Sequence, residues 1–247
     1  MTEDILTVMW KERKGLLRVQ GSLAKTVLSF AVPVLMIAIL MPLQLGEDWV
    51  EAAWSLLASI IIPLILVGIV VPQAFAGERE RHTLETLLAS RLPDRAILFG
   101  KVLLAVAYGW GMTMAVLLVA LIPVNLVHWA GRILVYRPEV ALANLLVSLL
   151  MAALIANLGV LVSLRSATAQ GAQQVLISLL LVPLLVLQVI PMILLSVVPN
   201  GRELLRQWLS VDLTTVVLVV IAVLVVMNAS LLLAAMARFK RSRLCLD

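Results

Sequence analysis

Chemistry needs titratable or nucleophilic side chains brought close together, and this chain concentrates them in one place. The run GERERHTLETLLASRLPDRAILFGK, from Gly77 to Lys101, is the only long, densely charged segment between apolar stretches. Its carboxylates, guanidiniums and His82 could in principle serve acid–base or metal chemistry. The remaining requirements are missing. His82 and His128 are far apart in the chain and both fall in loops, so no histidine cluster suggests a metal. Gly100-Lys101 is followed by Val102 and lacks the spaced upstream glycine of a phosphate loop. No Gly-x-Ser-x-Gly elbow occurs. No catalytic residue and no bound cofactor is therefore expected, and the segment offers docking and charge instead.

Read as a helix, the segment sets Leu84, Leu87, Leu88 and Leu92 on one stripe at spacings of three and four. Glu78, Arg79, Arg81, His82 and Glu85 fall mainly on the other faces, with Arg81 and Glu85 an i,i+4 pair. Gly77 is expected to separate this helix from the apolar run before it. Pro93 ends it, and Asp94 is placed to cap the next helix, from about Arg95. The expectation is a short amphipathic helix over 77–94, lying at a membrane surface with its apolar stripe free to dock on a partner. A solvated charged loop is the plainer alternative.

The rest of the chain must position that segment. Its 247 residues are 63% hydrophobic and 13% charged, with mean hydropathy +1.11. Soluble domains are near half apolar and a quarter charged, so the fold class is an all-α integral membrane protein. The pI near 9.9 is not read as nucleic-acid binding, because basic residues in a membrane protein first set its orientation. Six stretches reach the roughly 20 apolar residues that a span requires. They lie near 24–45, 53–76, 97–123, 140–164, 175–198 and 213–236. The chain is one domain over 1–247, with the 77–94 helix between spans two and three. Residues 1–22 hold an interfacial helix whose apolar side is Ile5, Leu6, Met9, Trp10, Leu16 and Leu17, and 199–212 form a short outer amphipathic segment.

With the amino terminus inside, the inner segments hold Lys11, Arg13, Lys14, Arg18, Lys25, Arg79, Arg81, Arg91, Arg95, Lys101, Arg165, Arg238, Lys240, Arg241 and Arg243. The outer ones hold only Arg132, Arg137, Arg202 and Arg206. That imbalance places both termini in the cytosol. The first apolar run is too long and too late for a signal peptide and is read as retained. The lone Cys245 excludes an intrachain disulfide.

None of the spans carries an ionisable residue in its middle, which argues against a proton-coupled carrier or an intramembrane protease. Asn144, Asn157 and Asn228 are expected chiefly as interhelical hydrogen-bond contacts, and Ala152, Ala156 and Gly159 as a close-packing surface. Pro183 and Pro191 interrupt the fifth span, with Gln188 between them. Pro183, Gln188, Pro191 and Asn157 are candidate pathway-lining residues.

The run Glu78-Arg79-Glu80-Arg81-His82-Thr83-Leu84-Glu85-Thr86-Leu87-Leu88, with Pro93 and Gly100-Lys101, resembles the cytosolic loop of type-2 ABC transporter permeases. The six-span frame agrees, and the resemblance covers nearly the whole chain. Two departures are local: His82 stands where many members have glycine, and Ala-Ser-Arg-Leu before Pro93 is one residue longer than usual. The resemblance implies that Glu78, Arg79, Glu80, Thr83, Leu84, Glu85, Leu87 and Leu88 form a coupling helix seated on a separate ABC ATPase subunit. Pro93, Asp94, Gly100 and Lys101 would then turn the chain into the third span. It further implies a homodimer, or a heterodimer with a sibling permease, in the inner membrane, with ATP and Mg held by the ATPase, exporting a substrate. A haem-exporter-like subunit of cytochrome c assembly and a non-transporting scaffold or sensor are the alternatives. Tolerance of sealing substitutions around Gln188 would distinguish a scaffold.

Overall fold

The computed structural model describes residues 2–16, 23–52, 54–81, 93–129, 131–197 and 213–239. They form helices α1 (Thr2–Leu16), α2 (Leu23–Leu45), α3 (Asp48–Glu51), α4 (Ser55–Glu80), α5 (Asp94–Val127), α6 (Pro138–Ser163), α7 (Ala169–Val197) and α8 (Leu213–Arg238). No strand occurs among the described residues. Four helices are long and apolar enough to cross a membrane: α4, α5, α6 and the Thr214–Arg238 part of α8. α2 and α7 are apolar too, with shorter described apolar portions, Val34–Leu45 and Ala169–Pro183. In hydrocarbon every backbone polar group must be satisfied internally, which is why the apolar stretches are helical. The chain is an integral membrane protein.

α4 is the centre of the bundle. It packs most extensively on α6 and also against α5, α7 and α2, while α8 leans on α6 alone to any extent. Small residues let α4 and α6 approach: a Cβ on Gly159 would stand 2.8 Å from Val71 Cγ1, and Ala152 and Ala156 are fully buried beside it. The expected close-packing surface is thus spent within this chain. The same pair of helices buries a satisfied polar trio, in which Ser59 Oγ donates to Asn144 Oδ1 (2.7 Å) and Asn144 Nδ2 donates to Ser55 Oγ (2.8 Å). Farther along, Asn157 Nδ2 donates to Asn228 Oδ1 (3.3 Å), and Asn228 Nδ2 donates to the Leu150 carbonyl (3.0 Å), tying α8 to α6.

The end of the bundle where α4 and α6 begin is closed by short elements. α3 buries Trp49 and Val50 completely. Trp49 Nε1 donates to the Tyr136 hydroxyl (2.9 Å), which donates to the Leu117 carbonyl (2.9 Å). Burial pushes the Tyr136 phenol up to about 12, the Trp49 bond acting weakly the other way. Asn125 pins the same loop through the Leu134 carbonyl (2.8 Å) and amide (2.7 Å).

One expectation is corrected here. Gly77 does not separate two elements: α4 runs unbroken through it to Glu80, and a Cβ there would stand in ordinary contact with Ala169 Cβ, at 3.7 Å. α7 runs as one helix through Pro183 and Pro191, as expected of the fifth span, each proline removing a bond without ending the helix.

Candidate functional site

At the end of the bundle where α4 finishes and α5 starts, α1, α4 and α5 meet around Lys101. Its side chain is wholly buried. A buried ammonium must be paired and hydrogen-bonded to be tolerated, and three acceptors surround this one. Glu12 of α1 lies at 2.9 Å, Glu78 of α4 at 2.8 Å, and the Ala74 carbonyl of α4 at 2.7 Å. The ammonium donates hydrogen bonds to Glu12 and to the Ala74 carbonyl, and Glu78 is a close ion pair. Lys11 adds a second cation, 3.3 Å from Glu78 and 3.8 Å from Glu12. Two lysines face two glutamates, so the cluster is locally neutral. Lys101 Nζ also stands 5.5 Å from the Phe75 ring, which meets Phe239 past the end of α8 edge-on at 5.9 Å.

Gly100 explains how α1 reaches Lys101. A Cβ at that position would lie 2.7 Å from Val8 Cβ and Cγ1 and 3.2 Å from the Ile5 carbonyl. Glycine lets the α1 backbone press directly on α5. Ile5, Val8 and Glu12 consequently form the face of α1 turned to the bundle, with Val8 buried. Leu6 and Trp10 lie on the other side of α1, 63% and 55% exposed, with the Lys14 ammonium 3.7 Å above the Trp10 ring. The Gly-Lys pair, read as a turn into the third span, sits within α5 as a contact point and a buried charge. Pro93 occupies the N-cap of α5 and Asp94 its first turn, so Asp94 is not the N-cap itself; its charge suits the helix's amino-terminal dipole.

The neighbouring charges Arg79 and Glu80 are spent on the turn between α6 and α7. Helix ends leave backbone groups without intrahelical partners. The Arg79 guanidinium donates to the carbonyls of Ser163 (3.0 Å), Leu164 (3.2 Å) and Ser166, where α6 stops. Glu80 Oε2 accepts the amide of Ala169 (3.1 Å), the first residue of α7. Thr168 Oγ1 accepts the Gly171 amide (3.1 Å) and completes the cap. A cation closes the carboxyl end of one helix and an anion the amino end of the next, each matching the local dipole.

Of the residues expected in a coupling helix, Glu78, Arg79 and Glu80 therefore lie in the last turn of α4 and engage this chain. Thr83, Leu84, Glu85, Leu87 and Leu88 lie outside the described residues. So do the 199–212 segment and the Gln188 and Pro191 side chains. Pro183 is exposed on α7, and Asn157 is buried between α6 and α8, away from the charged cluster. The sequence reading missed Glu12, whose charge suggests a solvated face; only a buried partner distant in the chain turns it inward. No group of histidine, cysteine, aspartate and glutamate able to hold a metal occurs among the described residues.

No curated relative matches the chain. The family model described as "ABC-2 type transporter" matches residues 3–192, a stretch that takes in α1, the cluster around Lys101 and both helices flanking 82–92. The chain belongs to the ABC-2 type transporter family, as a membrane-embedded permease.

Proposed function

We propose that this chain is the membrane subunit of an ATP-driven exporter, and that residues 82–92, with the turns on either side, are where separate ATPase subunits push. Six helices, α2 and α4 to α8, span the membrane, with both termini and the Lys101 cluster on the cytosolic side. Two copies, or one copy and a sibling permease, complete the pathway. ATP and Mg are held by the ATPase chains. The observation that carries this reading is the anchorage of both flanks of 82–92. On the α4 side Glu78 is paired to Lys101 and Lys11, while Arg79 and Glu80 grip the α6–α7 turn. On the α5 side Lys101 is bound to α1. A force on the intervening segment is thus shared at once by α1, α4, α5 and the α6–α7 turn, without first being lost in a slack loop.

The test is affinity purification from the native membrane in mild detergent, with mass spectrometry of what accompanies the chain. A stoichiometric ABC ATPase is expected, lost on Leu84→Asp while the permease still inserts. A chain that comes out alone, or with non-ATPase partners only, returns the scaffold reading. An ATPase retained by Leu84→Asp moves the docking site elsewhere.

A further inference from the structure

Where α8 begins, its first turns stand off from α6 and the start of α4, leaving a groove of about 240 Å³. Its walls are apolar, including Leu142, Leu146 and Leu218, and its rim carries Arg137, Glu139 and Glu51. Leu142 and Leu218 are 58% and 61% exposed, so the groove opens outward from the bundle. Trp54, just before α4, is exposed at the same end, as is Trp129. Exposed tryptophans of this kind mark the headgroup level of a bilayer, which puts the rim charges among headgroups and the walls among acyl chains.

We propose that this groove holds one phospholipid bearing an ammonium headgroup, of the phosphatidylethanolamine kind. An empty groove at this depth would forfeit dispersion contacts along both helices, and the adjacent solvent is hydrocarbon. The walls are apolar and the rim is charged, the pairing that an acyl chain joined to a headgroup meets. The rim sets the headgroup. Arg137, immediately before α6, takes the phosphate, and Glu139 in its first turn takes the ammonium. Glu51 is already paired with Arg132 at 3.0 Å and forms a neutralised wall. A purely anionic lipid would gain Arg137 and be repelled by Glu139. The lipid wedges α8 against the bundle at the end remote from its Asn228 and Phe239 contacts.

The experiment places the purified full-length protein in nanodiscs of equal phosphatidylethanolamine and phosphatidylglycerol, then counts retained lipids by native mass spectrometry. One phosphatidylethanolamine per chain is expected, favoured by about fivefold, the worth of one charge at a membrane surface. Glu139→Lys should reverse the preference, and Leu142→Trp should abolish retention while leaving the thermal midpoint in detergent within a few degrees. Equal retention of both lipids overturns the headgroup assignment. No lipid retained, or retention the same in Leu142→Trp, overturns the site and leaves the groove to residues 198–212 or a second copy.

Discussion

Lys101 carries the sharpest consequence of any single residue. Its ammonium has no contact with solvent and holds two carboxylates from two other helices. Removing one partner of a buried ionic group costs about 3–5 kcal/mol, because the remaining charges are left uncompensated. Lys101→Met should therefore lower the thermal midpoint markedly in detergent, while Leu103→Met, an exposed position on the same helix, should not. An unchanged midpoint for Lys101→Met would mean that the cluster is not held together in the membrane. The sequence displays Gly100-Lys101 plainly, yet its meaning depends on Glu12, 89 residues away. Local pattern cannot supply such a pairing, which is why the pair reads as a turn when taken alone.

Among the elements, the apolar helices were legible, because hydrophobic length decides them before any tertiary contact forms. α4, α5 and α6 appear where their runs of apolar residues place them, and Pro138 opens α6 as its first residue. The end of α4 was not legible. Gly77 looks like a breaker, but helix propensity is a weak prior beside the bonds that Glu78, Arg79 and Glu80 make with distant partners. The contact of α1 with α5 was not legible for a related reason: an apolar count picks out Ile5, Leu6 and Trp10, whereas the closeness allowed by Gly100 buries Val8. The dipole logic of the α6–α7 turn makes a prediction at this scale. Exchanging the two charges, Arg79→Glu with Glu80→Arg, keeps composition and net charge but opposes both helix ends. Each opposed terminus should cost about 0.3–2 kcal/mol, read as a lower thermal midpoint than wild type. A neutral exchange would show that the turn is held by packing at Ala76, Ala169 and Ala172 alone.

For the whole molecule, the cluster and the α6–α7 turn beside it collect α1, the end of α4, the start of α5, the end of α6, the start of α7 and Phe239 beyond α8 at one side of the bundle. α3 and the loop through Tyr136 close the other. The excess of lysine and arginine on the first side is what supports the proposed cytosolic orientation. Cys245 is the only natural thiol, so orientation can be measured without a cysteine-free background. In intact cells an impermeant maleimide should leave the wild type unlabelled and label Arg132→Cys, whose native side chain is 66% exposed at the far end. Labelling of Cys245 from outside would invert the topology and move the docking segment to the wrong face for an ATPase. Substrate chemistry was not legible at any scale, since no expected span carries an ionisable residue in its middle that would pick out a cargo.

The distance in sequence between Glu12 and Lys101 also sets an order of assembly. α1 is made before α4 and α5, but its Glu12 has no Lys101 to meet until 89 further residues have been made. At about 5–20 residues per second, that is a wait of roughly 4–18 s. During it α1 is without its contacts to Gly100 and Lys101, and α4 is made before Lys101 is there to meet Glu78. α1 is thus made before α4 and α5 but fixed only after both, and its docking records that α4 and α5 have both been inserted in the right sense.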